Sequence, residues 1–377
     1  MTSWRDRIRS ELDAVRSAGR WRETVAFDGR GPLGTVGKRD MISFASNDYL
    51  GLAGHETVRA AASAAAERWG AGSSASRLVT GTRSLHHELE ESLAQWKGTR
   101  GALLFPTGYA ANLGVLQVFG AAAAAIFSDK LNHASIIDGC RLSQARVRRF
   151  RHNDVEHLSS LLEETPGLKL VVTEAVFSMD GDVAPLQEIE HICARHDALL
   201  IIDEAHAVLN ESSTEQGENV LRVGTLSKSL GSLGGWVAGA KPLIELLVNR
   251  ARTFIYTTAP TPADTAAALT ALSIYRSDEG DQLKARLRRY VELLRAGHPS
   301  PIVPLILGSE AAAIEASKAL YERGLYVPAI RPPTVPPGTS RLRVALSAAH
   351  TPEMIDRLRE ALLQIPLATR SDELPDE

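Results

Sequence analysis

The sequence predicts an α/β protein: a large, mostly parallel sheet covered by helices, followed by a smaller α/β unit. Three observations predict it. Between about residues 60 and 280, apolar runs of strand length alternate with amphipathic runs of helix length, the pattern of a parallel sheet whose crossovers are helices. Leu199-Leu200-Ile201-Ile202 is unbroken apolar sequence, as a central strand buried on both faces requires. Beyond residue 281 the alternation restarts on a smaller scale.

At the start, Trp4, Ile8, Leu12 and Val15 fall on one stripe of a helix over 3–19. The Gly-rich residues 29–37 break that pattern, and Ile42 to Gly51 reads as a short strand running into a polar turn. Strands are expected at 101–105, 124–128, 145–150, 168–175, 198–203, 220–225, 236–240 and 254–257. Helices are expected at 56–68, 84–97, 108–118, 133–142, 155–164, 186–196, 241–252 and 261–276. A charged amphipathic helix follows at 281–297. After it come strands near 302–307, 326–330 and 341–347, with helices at 310–323 and 352–365. The polar tail, 369–377, is expected to fray. The division is an N-terminal helix and arm (1–45), a large domain (46–280) and a small domain (281–377).

With 377 residues, 44% hydrophobic and 23% charged, the composition is that of an ordinary soluble globular protein. A net charge of −3 gives no electrostatic reason to expect nucleic acid or an anionic membrane. There is no apolar run of bilayer-spanning length. The first residues mix charges of both signs without an apolar core, unlike a secretory signal. Cys140 and Cys193 are too few for a disulfide framework and lack metal-ligand spacing. A cytoplasmic protein without a metal is expected.

The chemistry centres on Gly224-Thr225-Leu226-Ser227-Lys228-Ser229-Leu230-Gly231-Ser232-Leu233-Gly234-Gly235. A lysine among hydroxyls and glycines just after a strand suits a Schiff base with a carbonyl, most often that of pyridoxal phosphate. A surface lysine in a Gly/Ser loop is the plain alternative. Phe105-Pro106-Thr107-Gly108-Tyr109-Ala110-Ala111-Asn112 turns from strand to helix with a glycine, where backbone N–H groups can hold a phosphate. His133, after the strand at 124–128, can stack on a flat ring or simply cap a helix. Ser178 follows the strand at 168–175 and is an ordinary loop serine or a site residue. Asp203 emerges from the most apolar strand, which is costly without a cationic partner. A pyridinium N–H is such a partner, and an aspartate capping the next helix is the alternative. At ~4 Å and an effective dielectric of ~20 the pair is worth roughly 4 kcal/mol, about three pKa units.

Asp203-Glu204-Ala205-His206 also matches a helicase box, but those enzymes need a glycine-rich phosphate loop with a Lys-Ser/Thr pair upstream, and none is present. Gly108, His133, Ser178, Asp203, His206, Thr225 and Lys228 all fall at or just beyond expected strand ends, where ligands of open α/β sheets bind.

Beyond these residues, Ser46-Asn47-Asp48-Tyr49-Leu50-Gly51-Leu52, Gly72-Ser73-Ser74-Ala75-Ser76-Arg77 through Gly81-Thr82, and His86-His87-Glu88-Leu89-Glu90 complete a pattern. With the Asp203–His206 box and the Lys228 block, it resembles the α-oxoamine synthases among the fold-type-I pyridoxal phosphate enzymes. The resemblance covers nearly the whole chain. The segment Ala329-Ile330-Arg331-Pro332-Pro333-Thr334-Val335-Pro336-Pro337-Gly338 to Arg343, followed by Ser347-Ala348-Ala349-His350-Thr351, is most similar to members that condense L-alanine with a pimeloyl thioester in biotin synthesis. The resemblance implies that Lys228 binds the cofactor and moves the Cα proton. It implies that Asp203 partners the pyridine nitrogen, His206 and Ser178 contact the ring hydroxyl, and His133 stacks on the ring. Gly108, Tyr109 and Thr225 would hold the phosphate, and Arg343 the amino-acid carboxylate. Arg22 and Thr334 align with acyl contacts, and Asn47 with the substrate side. A homodimer is implied, with Thr257 or Thr258 reaching the partner's phosphate. Arg22 also reads as a surface arginine after the first helix. One departure stands out: Ala207-Val208-Leu209-Asn210-Glu211-Ser212-Ser213-Thr214 replaces a longer glycine-rich run beside the site. A sister synthase using glycine or serine, or a silent partner subunit, are the competing readings.

Overall fold

The computed structural model describes residues 3–211 and 217–365. The tail 369–377 and residues 212–214 of the shortened loop lie outside the described residues. The first helix, α1 (Trp4–Ser17), opens with a capping box in which Ser3 Oγ accepts from the Asp6 N–H at 3.1 Å and Asp6 accepts from the Ser3 N–H at 3.3 Å. None of its residues is buried, and Trp4 is 82% exposed. Residues 29–37 are more than a break in the helix pattern. They lie in an antiparallel set of β1 (Asp28–Arg30), β2 (Leu33–Val36) and β3 (Arg39–Ser43). Gly31 and Gly37 turn it at φ +64° and +62°, a left-handed backbone that glycine adopts without steric cost.

Next come α2 (Glu56–Trp69), α3 (Ser84–Lys97), β4 (Gly101–Phe105), α4 (Gly108–Gly120), β5 (Ala125–Asp129), α5 (Ala134–Leu142) and β6 (Val147–Phe150). They are followed by α6 (Val155–Glu163), β7 (Lys169–Glu174), α7 (Leu186–Arg195), β8 (Leu199–Asp203), β9 (Val220–Thr225) and β10 (Gly235–Gly239). The seven-stranded sheet has the order β4-β10-β9-β8-β7-β5-β6. Strand β10 runs antiparallel to both its neighbours, and the pairs from β9 to β6 are parallel. Period-two alternation packs both faces. Leu170, Val172 and Ile201 join the core beneath α4 and α8, whereas Val171, Leu200 and Ile202 join the core beneath α6 and α7.

The helices α8 (Lys241–Arg250), α9 (Arg252–Ile255) and α10 (Pro262–Tyr275) complete the large unit. The expected strand at 254–257 is instead the short helix α9 and its exit. The N–H groups of Phe254 and Ile255 both donate to Ala251 O at 3.0 Å, and an apolar run this short carries no period to separate strand from helix. Then follow α11 (Asp278–Leu294), β11 (Ile302–Gly308), α12 (Glu310–Glu322), β12 (Leu325–Tyr326), β13 (Ala329–Ile330), β14 (Ser340–Ala345) and α13 (Pro352–Leu363). The expected strand at 326–330 is divided around Pro328, which has no N–H to donate. Its first part pairs with β3 and its second with β14. The arm at 28–43 is therefore tied to the C-terminal unit.

Candidate active site

Strands β5, β7, β8 and β9 are parallel, so their carboxyl ends share one edge of the sheet. Lys228 lies three residues beyond β9, and its Nζ is 2.7 Å from His206 Nε2. Burial lowers the lysine pKa to about 8, against the pull of the Asp203 and Glu174 carboxylates. His206 lies three residues beyond β8 and is buried; its Nδ1 is 2.6 Å from Tyr49 Oη. Burial, with the positive Lys228 and Arg343 nearby, keeps the imidazole neutral, its pKa well below the ordinary value.

Asp203 ends β8 and is buried. Its Oδ2 accepts from Asn112 Nδ2 at 2.7 Å and its Oδ1 from the Ala205 N–H at 2.9 Å. Glu174 ends β7, in register with Asp203. Burial, then the Asp203 charge, raises its pKa well above the carboxylate range. Asn112 Nδ2 also donates to Ser135 Oγ at 3.0 Å, and Ser135 Oγ is 2.8 Å from His133 Nδ1. His133 caps α5 by accepting from the Ser135 N–H at 3.2 Å. The capping reading of His133 is thus observed, and its imidazole is also linked through Ser135 and Asn112 to Asp203. The residue is exposed, yet burial of its imidazole lowers the pKa.

Thr107 caps α4, accepting from the Ala110 N–H at 3.0 Å. A Cβ at Gly108 would stand 3.3 Å from Thr225 Cβ, and one at Gly235 would stand 2.3 Å from Thr107 O. Thr225 Oγ1 lies 2.7 Å from Ser227 Oγ. Bare backbone, clustered hydroxyls and a helix N-terminus meet here. Tyr109 is exposed and its hydroxyl donates to Asp138.

Arg343, on β14, is buried and donates through Nε to Ser178 O at 2.7 Å and through both Nη atoms to Asn47 Oδ1 at 3.2 and 3.1 Å. The fold thus gathers Lys228, His206, Asp203, His133, Ser178, Asn47 and Arg343. Arg22 and Thr334 meet elsewhere: Arg22 Nη2 donates to Pro332 O at 3.2 Å, and Thr334 N–H to Arg331 O at 3.1 Å. Thr257 and Thr258 follow α9, where Thr258 bridges Ser76. No described hydrogen bond joins them to the Lys228 group.

Sequence reasoning missed Tyr49, Asn112, Ser135 and Glu174 as working parts. Two left a signal: Asn112 is one helical turn from Gly108, and Glu174, like Asp203, is an acid ending an apolar strand.

The residues fit pyridoxal phosphate. The set offers an amine, a carboxylate, two imidazoles and an anion cup, and Asn112 Oδ1 and Glu174 Oε1 are buried without a hydrogen-bond partner. The family model for aminotransferase class I and II matches residues 39–362. An 8-amino-7-oxononanoate synthase of Anaeromyxobacter dehalogenans is 49% identical, over 96% of this chain and 95% of the relative. That of Marinobacter nauticus is 46% identical, over 93% and 94%. Among solved structures, a serine palmitoyltransferase from S. paucimobilis with a bound PLP–myriocin aldimine aligns with a TM-score of 0.88 at 31% identity, covering 96% of this chain and 97% of that one. An 8-amino-7-oxononanoate synthase from Francisella tularensis aligns at 0.70 with 28% identity, covering 86% and 96%. The chain belongs to the aminotransferase class I and II family and, within it, to the 8-amino-7-oxononanoate synthases.

Proposed function

We propose that the chain condenses L-alanine with a pimeloyl thioester, releasing the thiol carrier and carbon dioxide, to give 8-amino-7-oxononanoate for biotin synthesis. It is a pyridoxal-phosphate-dependent acyltransferase. The observation that carries the reading is Lys228, its pKa lowered to about 8, beside His206 on the edge that also bears Asp203. When bound, pyridoxal phosphate supplies an electron sink for the carbon next to the amine.

The residues divide the remaining work. Lys228 would hold the cofactor's aldehyde group and would take and return the Cα proton, a task suited to an amine with a pKa near the working pH. Asp203, oriented by Asn112 and Ala205, keeps a proton on the ring nitrogen. His133 would lie against the ring, and His206 with Ser178 would meet its hydroxyl. Gly108, Tyr109 and Thr225 hold the phosphate. Arg343 takes the alanine carboxylate, since a guanidinium binds one bidentately, and Asn47 stands beside it. Arg22 and Thr334 receive the acyl part.

The reading includes a homodimer in which Thr257 or Thr258 reaches the partner's phosphate. Two exposed apolar residues on segments that pack together, Val79 at 74% and Tyr256 at 72%, support a covered face. It also includes a cytoplasmic location, and a division into an arm (1–45), a cofactor domain (46–280) and a small domain (281–377).

The test is thiol release from pimeloyl thioesters of coenzyme A and of acyl carrier protein, with L-alanine, glycine and L-serine in turn. L-Alanine is expected to support the fastest release with at least one carrier. Preference for glycine or serine with another acyl group assigns a sister activity instead. A protein that stays colourless after incubation with pyridoxal phosphate overturns the cofactor role of Lys228.

A further inference from the structure

A continuous row of side chains joins Arg343 to Lys228. Both Nη atoms of Arg343 lie 3.2 and 3.1 Å from one atom of Asn47. Tyr49 Oη lies 3.1 Å from that same atom and 2.6 Å from His206 Nδ1. His206 Nε2 lies 2.7 Å from Lys228 Nζ. The row crosses three distant parts of the chain, with 296 positions between Asn47 and Arg343 and 157 between Tyr49 and His206.

The direction of every bond follows from one end. A guanidinium only donates, so the Asn47 atom facing Arg343 is its oxygen. That oxygen only accepts, so the Tyr49 hydroxyl donates to it. With its one proton committed, Tyr49 Oη accepts from His206, whose ring proton therefore sits on Nδ1. The bare Nε2 then accepts from the lysine amine.

We infer that Arg343, acting through Asn47 and Tyr49, fixes His206 as the Nδ1–H tautomer and holds the Lys228 amine as a donor to it. Asn47 and Tyr49 are positioning residues in this scheme. A carboxylate that takes over the guanidinium releases the Asn47 amide to turn and offer its NH2 to Tyr49. Tyr49 then donates to Nδ1, and the imidazole carries its proton on Nε2. The imidazole has one ring proton in either arrangement, so the change is one of position and exchanges through solvent. In the second arrangement Nε2–H needs the lone pair of a neutral Lys228 amine, so a protonated Lys228 gives one proton to solvent. Carboxylate binding at Arg343 thus favours the neutral amine of a free Lys228, the form that abstracts a proton. The identity of that carboxylate, alanine, rests on the function proposed above; the direction of the row does not.

The experiment uses the full chain labelled with 15N-histidine, before and after loading with pyridoxal phosphate. Two-bond proton–nitrogen correlations report which ring nitrogen carries the proton. Of the 11 histidines, His206 is identified by the signal lost in His206→Gln. Before loading, the expected result is Nδ1–H, and Arg343→Leu shifts the ratio toward Nε2–H roughly fivefold, the net worth of one hydrogen bond. Asn47→Leu and Tyr49→Phe each weaken the Nδ1–H preference, and Arg343→Leu has no further effect in the Tyr49→Phe background. A purely structural Arg343 would not lose its effect when Tyr49 is cut.

An Nε2–H ring in the unaltered chain overturns the inference. So does an Arg343→Leu shift that survives Tyr49→Phe. If Arg343→Leu does not fold, Asn47→Leu and Tyr49→Phe decide, and an unchanged ratio in both overturns it. The visible absorbance after loading tests the cofactor separately, so the two readings fail independently.

Discussion

The lysine side of the candidate site and the seam proposed to receive the acyl group are built in opposite ways. Around Lys228 the side chains Asp203, His206, Arg343 and Glu174 are buried, and Asp203, His206 and Arg343 are held by described hydrogen bonds of 2.6 to 3.2 Å from several elements. At the proposed acyl seam Arg22 and Thr334 are exposed, and Arg22 touches the Pro332 carbonyl at 3.2 Å. Around them, the arm meets the Arg331–Pro332 loop through Arg331 to Gly19 O at 2.7 Å and meets α12 through Arg20 to Glu310 at 3.3 Å. The lysine side therefore rests on buried side chains that hold one another through hydrogen bonds. The proposed acyl contacts sit instead on a surface seam.

The comparison breaks most sharply at Lys228. Lys228→Ala is expected to lower thiol release by about a thousandfold or more, because it removes both the attachment point and the general base; steady-state kinetics check this, and a variant within tenfold of the parent contradicts it.

The second test sharpens the lysine side through pH. Only the unprotonated amine attacks an aldehyde. With the pKa lowered to about 8, the rate of cofactor uptake should climb about tenfold per pH unit well below 8 and flatten above it. A climb continuing to the ordinary lysine value of 10.5 would show that burial does not perturb Lys228.

Arg22→Ala probes the seam. The KM for the pimeloyl thioester should rise about fivefold with kcat little changed, the signature of lost uniform binding. A fall in kcat with unchanged KM would instead place Arg22 with the chemistry.

The smallest effect concerns a brace against the ring of Phe177. His152 bridges Asp129 at 3.0 Å and Asp182 at 2.6 Å. Burial alone would lower its pKa, but the two carboxylates raise it to about 10. A pKa raised on folding stabilises fully below the unfolded value of about 6.5 and loses that contribution as pH rises through about 10. The melting-temperature gap between the parent and His152→Gln should therefore be widest below pH 6.5 and close above 10. A gap that widens with pH would contradict the bridge.

The same contrast explains what the sequence made legible. Lys228, Asp203, His206, His133 and Ser178 were readable because each follows a strand in the chain, and strand ends are set by local pattern. Arg343 was assigned only by resemblance, and the structure places it by pairing β14 with β11 and β13. Tyr49 was not legible as a partner of His206, because a contact across 157 positions leaves no periodic trace. Glu174 reads as an ordinary strand-end acid until β7 and β8 align in register and set it beside Asp203. The hairpins at 28–43 were missed for a different reason: their turn glycines look like interruptions when only helix and long-strand periods are sought.

The central claim is that Lys228 carries the cofactor. The direct measurement is to load the protein with pyridoxal phosphate, reduce it with borohydride, digest it, and locate the added mass by peptide mass spectrometry. The account predicts a single modified peptide containing Lys228 and none in Lys228→Ala. Modification spread over surface lysines, or absent from the Lys228 peptide, would contradict it.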